Sequence, residues 1–459
     1  MIYGVMKKRS IDILNGNLWK NILIFSIPLI LTNLLQILFN LSDLVVVGKF
    51  SPTSDPLGSV GSTTVFISLI TSFIIGISNG VNSLVSTSIG AGNIERVKKQ
   101  LTNSFFFMVI SGIVISILCV VSARGILKLL ETPDNLLDSA VNYLRIYSIG
   151  LVATSIFNFG NAVLSANGET KKPLLFLSIA GVANIGLNFL FVVGFHIYAE
   201  GVAIASTITQ FLAAILVLIC LFVRKDYLKL DFKGFKLYGN IQKDIMRLGL
   251  VSGLQNSIFY IANLFIQWQV NTFGDIMVKG NTAAMNLDNI IFDIMAAIYV
   301  AGCTFVAQNR GAKQFDRIKK SYYIMLVYSG GIALFLGLLF FFFKDFFLSL
   351  FTSDAEVIKA GEVRVNIMCL CNWLSCFMDG SIAANRGLGK TKIPTLFVIA
   401  GALVFRIIWI FALVSTIHDP YLLYAVYPIS FVLTAIAETI YFFISYKKCS
   451  EGKEIEGWL

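Results

Sequence analysis

The chain has 459 residues, of which 56% are hydrophobic and only 14% are charged, and its formal net charge is +10. Soluble proteins carry about 25% charged residues, so this composition excludes an ordinary soluble protein and predicts an integral membrane protein. The net positive charge alone would suit nucleic-acid binding, but the placement of the basic residues described below argues against that function.

The first predicted membrane span, Leu18–Val47, carries a row of polar side chains. Asn33, Gln36, Asn40 and Asp43 recur three, four and three residues apart, which places them on one face of a helix. A carboxylate at the bilayer centre costs about 2.5–3.5 kcal/mol, so we expect this face to contact protein or water. Asp43 is therefore the first functional candidate, and the alternative is a structural acid capped by neighbouring donors.

Eleven further apolar stretches of membrane-spanning length, about 20 residues, follow along the chain. They are Leu57–Val85, Leu101–Val121, Leu137–Leu164, Pro173–Phe195, Val202–Val223, Ile245–Val270, Thr282–Val306, Tyr322–Phe343, Val363–Ala384, Pro394–Ile417 and Tyr421–Tyr446. The sequence thus predicts an all-α membrane protein with twelve transmembrane helices.

Lysine and arginine residues collect in alternate loops between these spans. The basic segments lie at residues 7–20, 96–99, 171–172, 224–247, 310–320, 386–392 and 447–453. By the positive-inside rule, both termini are cytoplasmic and the protein crosses the cell membrane an even number of times. The basic charge is explained by topology, so we expect no nucleic-acid partner.

Two pairs of segments are alike, and the same distance along the chain separates the members of each pair. Gly90–Lys99 aligns with Gly311–Lys320, and Thr170–Phe176 aligns with Thr391–Phe397. The chain therefore has two homologous halves of six spans, and since six is even these are parallel repeats, which we expect to form two lobes around a central cleft. The predicted lobes are 1–225 and 245–459, joined by a cytoplasmic connector at 226–244.

Polar residues within several spans are candidates to line that cleft. The alternative is that each amide only joins two helices through a hydrogen bond worth about 0.6 kcal/mol. For the acids, pairing with Arg364 or Arg406 competes with cleft lining, and for Glu438 the alternative is that its side chain extends towards the cytoplasm. The cavity candidates are Asn33, Gln36, Asn40, Asn158, Asn161, Asn256, Asp288, Asp293 and Asp379.

A set of short motifs is spread over nearly the whole chain. They are Ile27-Pro28 followed by Gln36, Asp43 and Gly48, the Gly90-Ala91 loop, Gln308-Asn309-Arg310-Gly311-Ala312, and Gly387-Leu388-Gly389-Lys390-Thr391 before Pro394. With these motifs, the chain resembles the MATE (multidrug and toxic compound extrusion) transporters. The resemblance implies a two-lobed bundle of twelve helices that exports cationic, amphipathic compounds in exchange for Na⁺ or H⁺.

The resemblance also implies a coupling site in the N-terminal lobe. Several family members build it from an Asp in span one, two polar residues one turn apart in span five and a Thr in span six. The matching positions here are Asp43, Asn184, Asn188 and Ser206. The chain departs from the family pattern twice, since some relatives have a second carboxylate in place of Asn188, and Ser206 replaces the usual Thr.

The chemistry of these four side chains suits either coupling ion. Oxygen ligands with one negative charge match a hard monovalent cation such as Na⁺, while a desolvated carboxylate can instead carry a proton. Asn188 removes one proton acceptor and slightly favours Na⁺. No other metal and no cofactor are expected.

We therefore predict a monomeric secondary antiporter that exports a small organic, cationic compound by alternating access. The closest alternative is a flippase for a lipid-linked precursor, which would need many intramembrane bases, whereas the sequence offers few beyond Arg145 and Arg406. A membrane-embedded enzyme would need a clustered nucleophile or metal motif, and His196 and His418 lack such spacing. The expected partners are the small-molecule substrate and the bilayer.

Overall fold

The computed structural model describes residues 11–52, 55–233 and 235–452 of the chain. Twelve long apolar helices are found there, each of a length and composition suited to crossing a membrane. They are α1 Leu18–Phe50, α2 Asp55–Gly90, α3 Ile94–Leu129, α4 Asp134–Ala166, α5 Lys171–Gly194, α6 Ala199–Phe222, α7 Gly239–Asn271, α8 Asp275–Gly311, α9 Phe315–Phe342, α10 Ala355–Gly387, α11 Lys392–Ile417 and α12 Pro420–Ser450. The predicted all-α architecture of twelve spans is confirmed.

Most helices extend beyond the apolar stretches that predict them, and three of them begin at a capping side chain in a polar segment. Asn93 accepts a hydrogen bond from the backbone N–H of Arg96 at the start of α3. Asp354 caps α10 in the same way, and Asp419 caps α12 directly before Pro420. Such caps satisfy backbone donors that have no partner inside the helix.

Several helices contain turns that are wider than an α-helix. α5 ends in a π-helical segment at Leu190–Gly194, α7 contains one at Met246–Leu250, and α11 contains two, at Ile399–Val404 and Ile410–Val414. In α10, a 3₁₀ turn at Asn372–Leu374 interrupts the helix. Turns of these kinds redirect side chains and are frequent at functional sites.

The described residues form two compact units. The first consists mainly of Leu31–Ile89 and Asn93–Gly253, and the second of Asp12–Ile30, Gly90–Gly92 and the residues from Leu254 onward. The first half of α1 therefore belongs to the second unit, and the first half of α7 belongs to the first unit. The lobe boundaries inferred from the repeat, at 225 and 245, stay a prediction.

Left-handed backbone turns recur at the same distance along the chain that separates the two pairs of similar segments. Gly92 and Lys313 are equivalent positions of the two halves, and both have left-handed backbone, with φ of 69° and 57°. Gly168 and Gly389 are equivalent at the same distance and have φ of 81° and 72°. A left-handed conformation costs a non-glycine residue about 1–2 kcal/mol, so its recurrence at Lys313 shows that the same turn is kept in both halves.

Each unit has its own helix packing. In the first unit α4 packs against α3 and α6, and in the second α8 packs against α9 and α10, while α10 packs against α12. Glycines allow the closest approaches. A Cβ atom added to Gly337 of α9 would lie 2.0 Å from the carbonyl oxygen of Cys369 in α10.

Candidate cation site and polar networks

The four residues predicted to form the coupling site lie together in the first unit. Asp43 comes from α1, Asn184 and Asn188 stand one turn apart on α5, and Ser206 is on α6. All four side chains are buried, and Asn188 is fully inaccessible. Three helices therefore converge on one buried carboxylate.

Four hydrogen bonds join these side chains into a closed ring. Asn188 Nδ2 donates to Asp43 Oδ1 at 2.5 Å and to Asn184 Oδ1 at 3.2 Å. Ser206 Oγ donates to Asp43 Oδ2 at 2.9 Å and accepts from Asn184 Nδ2 at 3.3 Å. Both carboxylate oxygens of Asp43 thus act as acceptors.

Asp43 has no basic partner. Within the described part of the chain, no lysine, arginine or histidine forms an ion pair with this carboxylate. A buried charge is costly unless it is paired or neutralised. A proton or a cation bound at the carboxylate would balance the charge of Asp43.

One further oxygen is available in the ring. Asn188 Oδ1 is buried, and in the part of the chain that the structure describes it has no hydrogen-bond partner. Buried polar atoms are nearly always satisfied in native proteins. An unused carbonyl oxygen beside a carboxylate is suited to coordinate a hard cation.

Members of an apolar cluster are close neighbours of the ring residues along the chain. It contains Val46 and Val47 of α1, Tyr143 of α4, Val192 of α5 and Val202 of α6. Asn188 immediately precedes the π-helical end of α5, so the wider turn begins beside the site. The low polarity of these surroundings strengthens the interactions of Asp43 with its partners.

The remaining polar residues of α1 are not joined to this ring. Asn33 and Gln36 are half-buried, and Asn40 is exposed. The hydrogen bonds of Asp43 go to Asn188 and Ser206 instead. That Asn33, Gln36 and Asn40 line a cavity stays a prediction.

The polar residues of α4 bond within their own helix. Asn158 Nδ2 donates to the backbone oxygen of Thr154 at 2.9 Å, and Asn161 Oδ1 accepts from Ser165 Oγ at 3.3 Å. These bonds lie within one helix, whereas the alternative interpretation predicts bonds that join two helices. Asn256 on α7 is half-buried, and all three residues remain cavity candidates.

Asp288 forms an ion pair with a buried arginine. Arg364 Nε donates to Asp288 Oδ2 at 2.7 Å, and Asn372 Nδ2 donates to Asp288 Oδ1 at 3.1 Å. The alternative of pairing with Arg364 is thus the arrangement found for this acid. Asp293 and Asp379 are half-buried.

Two arginines, Arg364 and Arg386, are buried in α10. Arg364 lies within the predicted span Val363–Ala384, whereas Arg386 was predicted to lie in the basic segment 386–392 between two spans. Asp288 neutralises Arg364, which explains how this charge is tolerated inside a spanning helix. Arg145, counted as an intramembrane base, has an exposed side chain.

Sequence reasoning missed the network around Arg364. Arg364 Nη1 and the hydroxyl of Tyr424 both donate to Asn281 Oδ1, at 3.0 and 2.9 Å. The guanidinium also lies over the rings of Tyr424 and Tyr427, with centroid distances of 5.4 and 5.2 Å. The spacing of Asn281 and Asp288 was a usable signal, because residues two turns apart share a helix face.

Most of the chain matches a known protein family. The model of the MatE family matches residues 28–190 and 252–411, more than half of the chain. The chain belongs to the MatE family. It is therefore a multi-pass membrane transporter that acts on small molecules, and the resemblance inferred from the sequence motifs is confirmed.

Curated relatives of this MatE chain are named as probable multidrug resistance proteins or, in one case, as a transporter. The probable multidrug resistance protein YoeA of Bacillus subtilis is 26% identical over 394 residues, which cover 83% of each chain. The probable multidrug resistance protein NorM of Thermotoga maritima is 23% identical over 385 residues, 82% of each chain. The FAD transporter of Shewanella oneidensis is 24% identical over 362 residues, which cover 77% of this chain and 78% of the relative.

Solved structures show the same fold. A MATE crystal structure in the bent conformation superposes with a TM-score of 0.89 at 20% identity, covering 96% of this chain and 98% of that one. A transporter of the MOP superfamily from Pyrococcus furiosus, described as having a binding pocket of reverse polarity, also gives a TM-score of 0.89, at 21% identity. At this level of identity the MatE fold is what the structural likeness establishes.

Proposed function

We propose that this MatE transporter is an antiporter that exports small organic cations in exchange for Na⁺ or H⁺, with Asp43 as the coupling residue. The observation that carries the proposal is the buried Asp43 carboxylate, which is held by Asn188 and Ser206 and has no basic partner among the described residues. Such a charge needs a mobile counter-charge. Exchange of that counter-charge between the two sides of the membrane is the step that would drive export.

Na⁺ fits the ring as a transported ion. The ligands on offer are the two oxygens of Asp43, the hydroxyl of Ser206 and the amide oxygens of Asn184 and Asn188. These are neutral or singly charged oxygen donors, the type that hard cations prefer. An amide at Asn188, where some relatives have a second carboxylate, removes one proton acceptor from the ring, and this supports Na⁺ as the first candidate.

Helix α1 carries Asp43 and contains residues of both units. Residues up to Ile30 belong to the second unit and residues from Leu31 to the first, and Pro28 lies just before this change. Proline removes a helical hydrogen bond and lets a helix kink. We infer that ion binding at Asp43 acts on α1 and that α1 bends at or near Pro28.

The test is efflux of a fluorescent organic cation from liposomes that contain the purified protein, under separately imposed Na⁺ and pH gradients. Efflux driven by one gradient in the wild type and lost in Asp43→Asn supports the proposal and names the ion. Asp134→Asn is the matched control, because it makes the same change at an exposed acid of the same unit, and it should keep wild-type efflux.

Other outcomes point to other functions. FAD, the substrate named for one relative, serves as an anionic test compound, and gradient-driven efflux of FAD without efflux of the cation would overturn the substrate class while keeping antiport. Silence under both gradients for both compounds would contradict antiport and favour the flippase. The flippase is the weaker candidate because Asp288 already neutralises Arg364 and Arg145 is exposed.

A further inference from the structure

The other unit contains a further buried carboxylate, Glu438 on α12, besides the ion-paired Asp288. Glu438 is fully inaccessible to solvent, and so is Asn385 of α10. Asn385 Nδ2 donates to Glu438 Oε2 at 3.0 Å and to the backbone oxygen of the same residue at 3.2 Å. The side chain of Glu438 thus points into the protein and does not extend towards the end of α12.

Each of the two side chains keeps one oxygen without a partner. Glu438 Oε1 and Asn385 Oδ1 are both buried and, among the residues that the structure describes, neither has a hydrogen-bond partner. Both atoms are acceptors when the carboxyl group is ionised. An ionised Glu438 would therefore leave a charged oxygen unsatisfied in a buried site, at a cost that native proteins avoid.

The neighbouring charges do not supply a counter-ion in contact. Arg386 and Asp379, both on α10, are the charged groups within electrostatic range of Glu438, and they have opposite signs. Arg386 Nη2 donates to Gln255 Oε1 at 3.1 Å, and no ion pair to Glu438 is formed within the described residues. Tyr322 of α9 is hydrogen-bonded to Ser381 and adds no charge.

We propose that Glu438 is a protonation site of the second unit, with the proton on Oε1 donated to Asn385 Oδ1. One proton then satisfies both unpartnered oxygens, because the carboxylic acid and the amide each donate once and accept once. This acid–amide pair of two hydrogen bonds needs no ion and no water. The site is separate from the Asp43 ring, whose residues all belong to the first unit.

The packing of the fold does not require a carboxylate at this place. When the halves are aligned so that Gly90 matches Gly311, Val217 and Leu164 occupy the positions of Glu438 and Asn385 in the first half, and both are fully buried. Apolar side chains therefore fill the corresponding space in the other unit. A buried acid and amide in their place are costly to keep, and such residues in membrane helices are as a rule functional.

The role of this site in transport rests on the proposed function, whereas the protonation itself does not. If Asp43 exchanges Na⁺, a proton on Glu438 makes transport depend on pH through the second unit. If Asp43 exchanges protons, Glu438 gives the transporter a second proton. In either case loss of the proton leaves a negative charge beside Asn385 that breaks the acid–amide pair and alters the contact between α10 and α12.

Infrared spectroscopy of the full-length protein in lipid nanodiscs tests the protonation without any transport assay. At neutral pH the wild type should show the carbonyl band of a protonated carboxylic acid that is absent in Glu438→Gln and present in Asp43→Asn. Asn385→Leu should shift that band, because the acid loses its hydrogen-bond partner. This second variant keeps the test valid if Glu438→Gln does not fold, which size-exclusion profiles and thermal unfolding will reveal.

Two results would overturn the proposal. One is an acid band that is unchanged in both folded variants. The other is an ionised Glu438 at neutral pH whose carboxylate bands respond to added Na⁺, which would make this place a cation site. Because neither measurement depends on substrate, failure here leaves the antiport proposal standing, and failure of antiport leaves this one standing.

Discussion

The residues of the candidate coupling site come from three helices but share one hydrogen-bonded ring. Asp43 is held from two sides, by Asn188 and by Ser206. A hydrogen bond to a charged group contributes about 1.5–3 kcal/mol. Each donor should therefore affect how strongly the site binds its ion.

Removing the hydroxyl of Ser206 should weaken ion binding. Ser206→Ala removes an oxygen ligand of the proposed ion site, and we expect the apparent affinity for the coupling ion to fall by about tenfold, since about 1.4 kcal/mol corresponds to a factor of ten. Ser206→Thr restores the family's usual residue, keeps the hydroxyl and should stay close to the wild type. The measurement is the dependence of efflux on ion concentration, and equal effects of the two substitutions would contradict this role of the hydroxyl.

Glu169, in the segment between α4 and α5, forms an ion-paired cluster outside the spans. It accepts hydrogen bonds from Arg224 at 2.7 and 3.1 Å and pairs with Lys172 at 2.5 Å. Burial opposes ionisation, but the hydrogen bonds and charges of Arg224 and Lys172 outweigh it and lower the pKa of Glu169 from 4.5 to about 2. Because the folded-state pKa is the lower one, the stabilisation is present above pH 4.5 and is lost as the pH falls towards 2.

This pKa predicts how Glu169→Gln will behave. The substitution should lower the free energy of unfolding at neutral pH, by at most about 3 kcal/mol, and the gap to the wild type should close as the pH falls through the acid range. Thermal unfolding in detergent across this range is the measurement. Glu131→Gln, at an exposed acid in another loop, is the control, and a gap that is the same at every pH would contradict the assignment.

At this scale the sequence predicted part of the site and missed the rest. Asp43 could be singled out because a lone acid in an apolar helix is costly, and its partners followed from the family resemblance. Arg364 was named as one of two alternative partners of the acids, but its pairing with Asp288 could not be predicted, since only the tertiary fold brings the two within 2.7 Å of each other. The sequence left two interpretations of Glu438 open. Burial of its side chain decides between them, and burial depends on the neighbouring helices and not on the sequence of α12 alone.

At the scale of elements, α1 both carries Asp43 of the candidate site and contains residues of the two units. It runs unbroken from Leu18 to Phe50 with Pro28 inside it, although its residues divide between the units after Ile30. The apolar periodicity predicted the helix but not the division of its residues between the two units. The sequence of an apolar stretch does not show which distant helices the stretch contacts. The π-helical segments were likewise not predicted, since apolar residues fit both kinds of turn.

The contact between α9 and α10 depends on glycine at one position. Gly337→Ala places a Cβ 2.0 Å from the carbonyl oxygen of Cys369, so the helices must move apart, and we expect a loss of about 1–3 kcal/mol in stability. Gly331→Ala is the matched control on the same helix, because nothing lies within 4 Å of its new Cβ. That change should be neutral or stabilising by up to about 1 kcal/mol.

Thermal unfolding of the two glycine variants in the same detergent gives the answer. A lower unfolding temperature for Gly337→Ala alone supports the close packing of α9 on α10. Equal unfolding temperatures for the two variants would contradict it.

At the scale of the whole molecule, the repeat was the most informative feature of the sequence. Two loop pairs at one distance predicted two homologous halves, and the left-handed turns at Gly92 and Lys313 recur at that same distance. The halves nonetheless differ where function is expected. When the two halves are aligned at this distance, Leu264 occupies the position equivalent to Asp43. The second unit therefore has no acid that corresponds to the acid of the ring.

If Asp43 couples antiport, substrate and coupling ion cross the membrane in opposite directions. The most direct measurement is ion counterflow in sealed liposomes that start with equal Na⁺ and pH on both sides, into which only a substrate gradient is introduced. We predict that downhill substrate movement drives Na⁺ or H⁺ the other way in the wild type and in Asp134→Asn, but not in Asp43→Asn. Substrate movement without a counterflow of either ion would contradict the account.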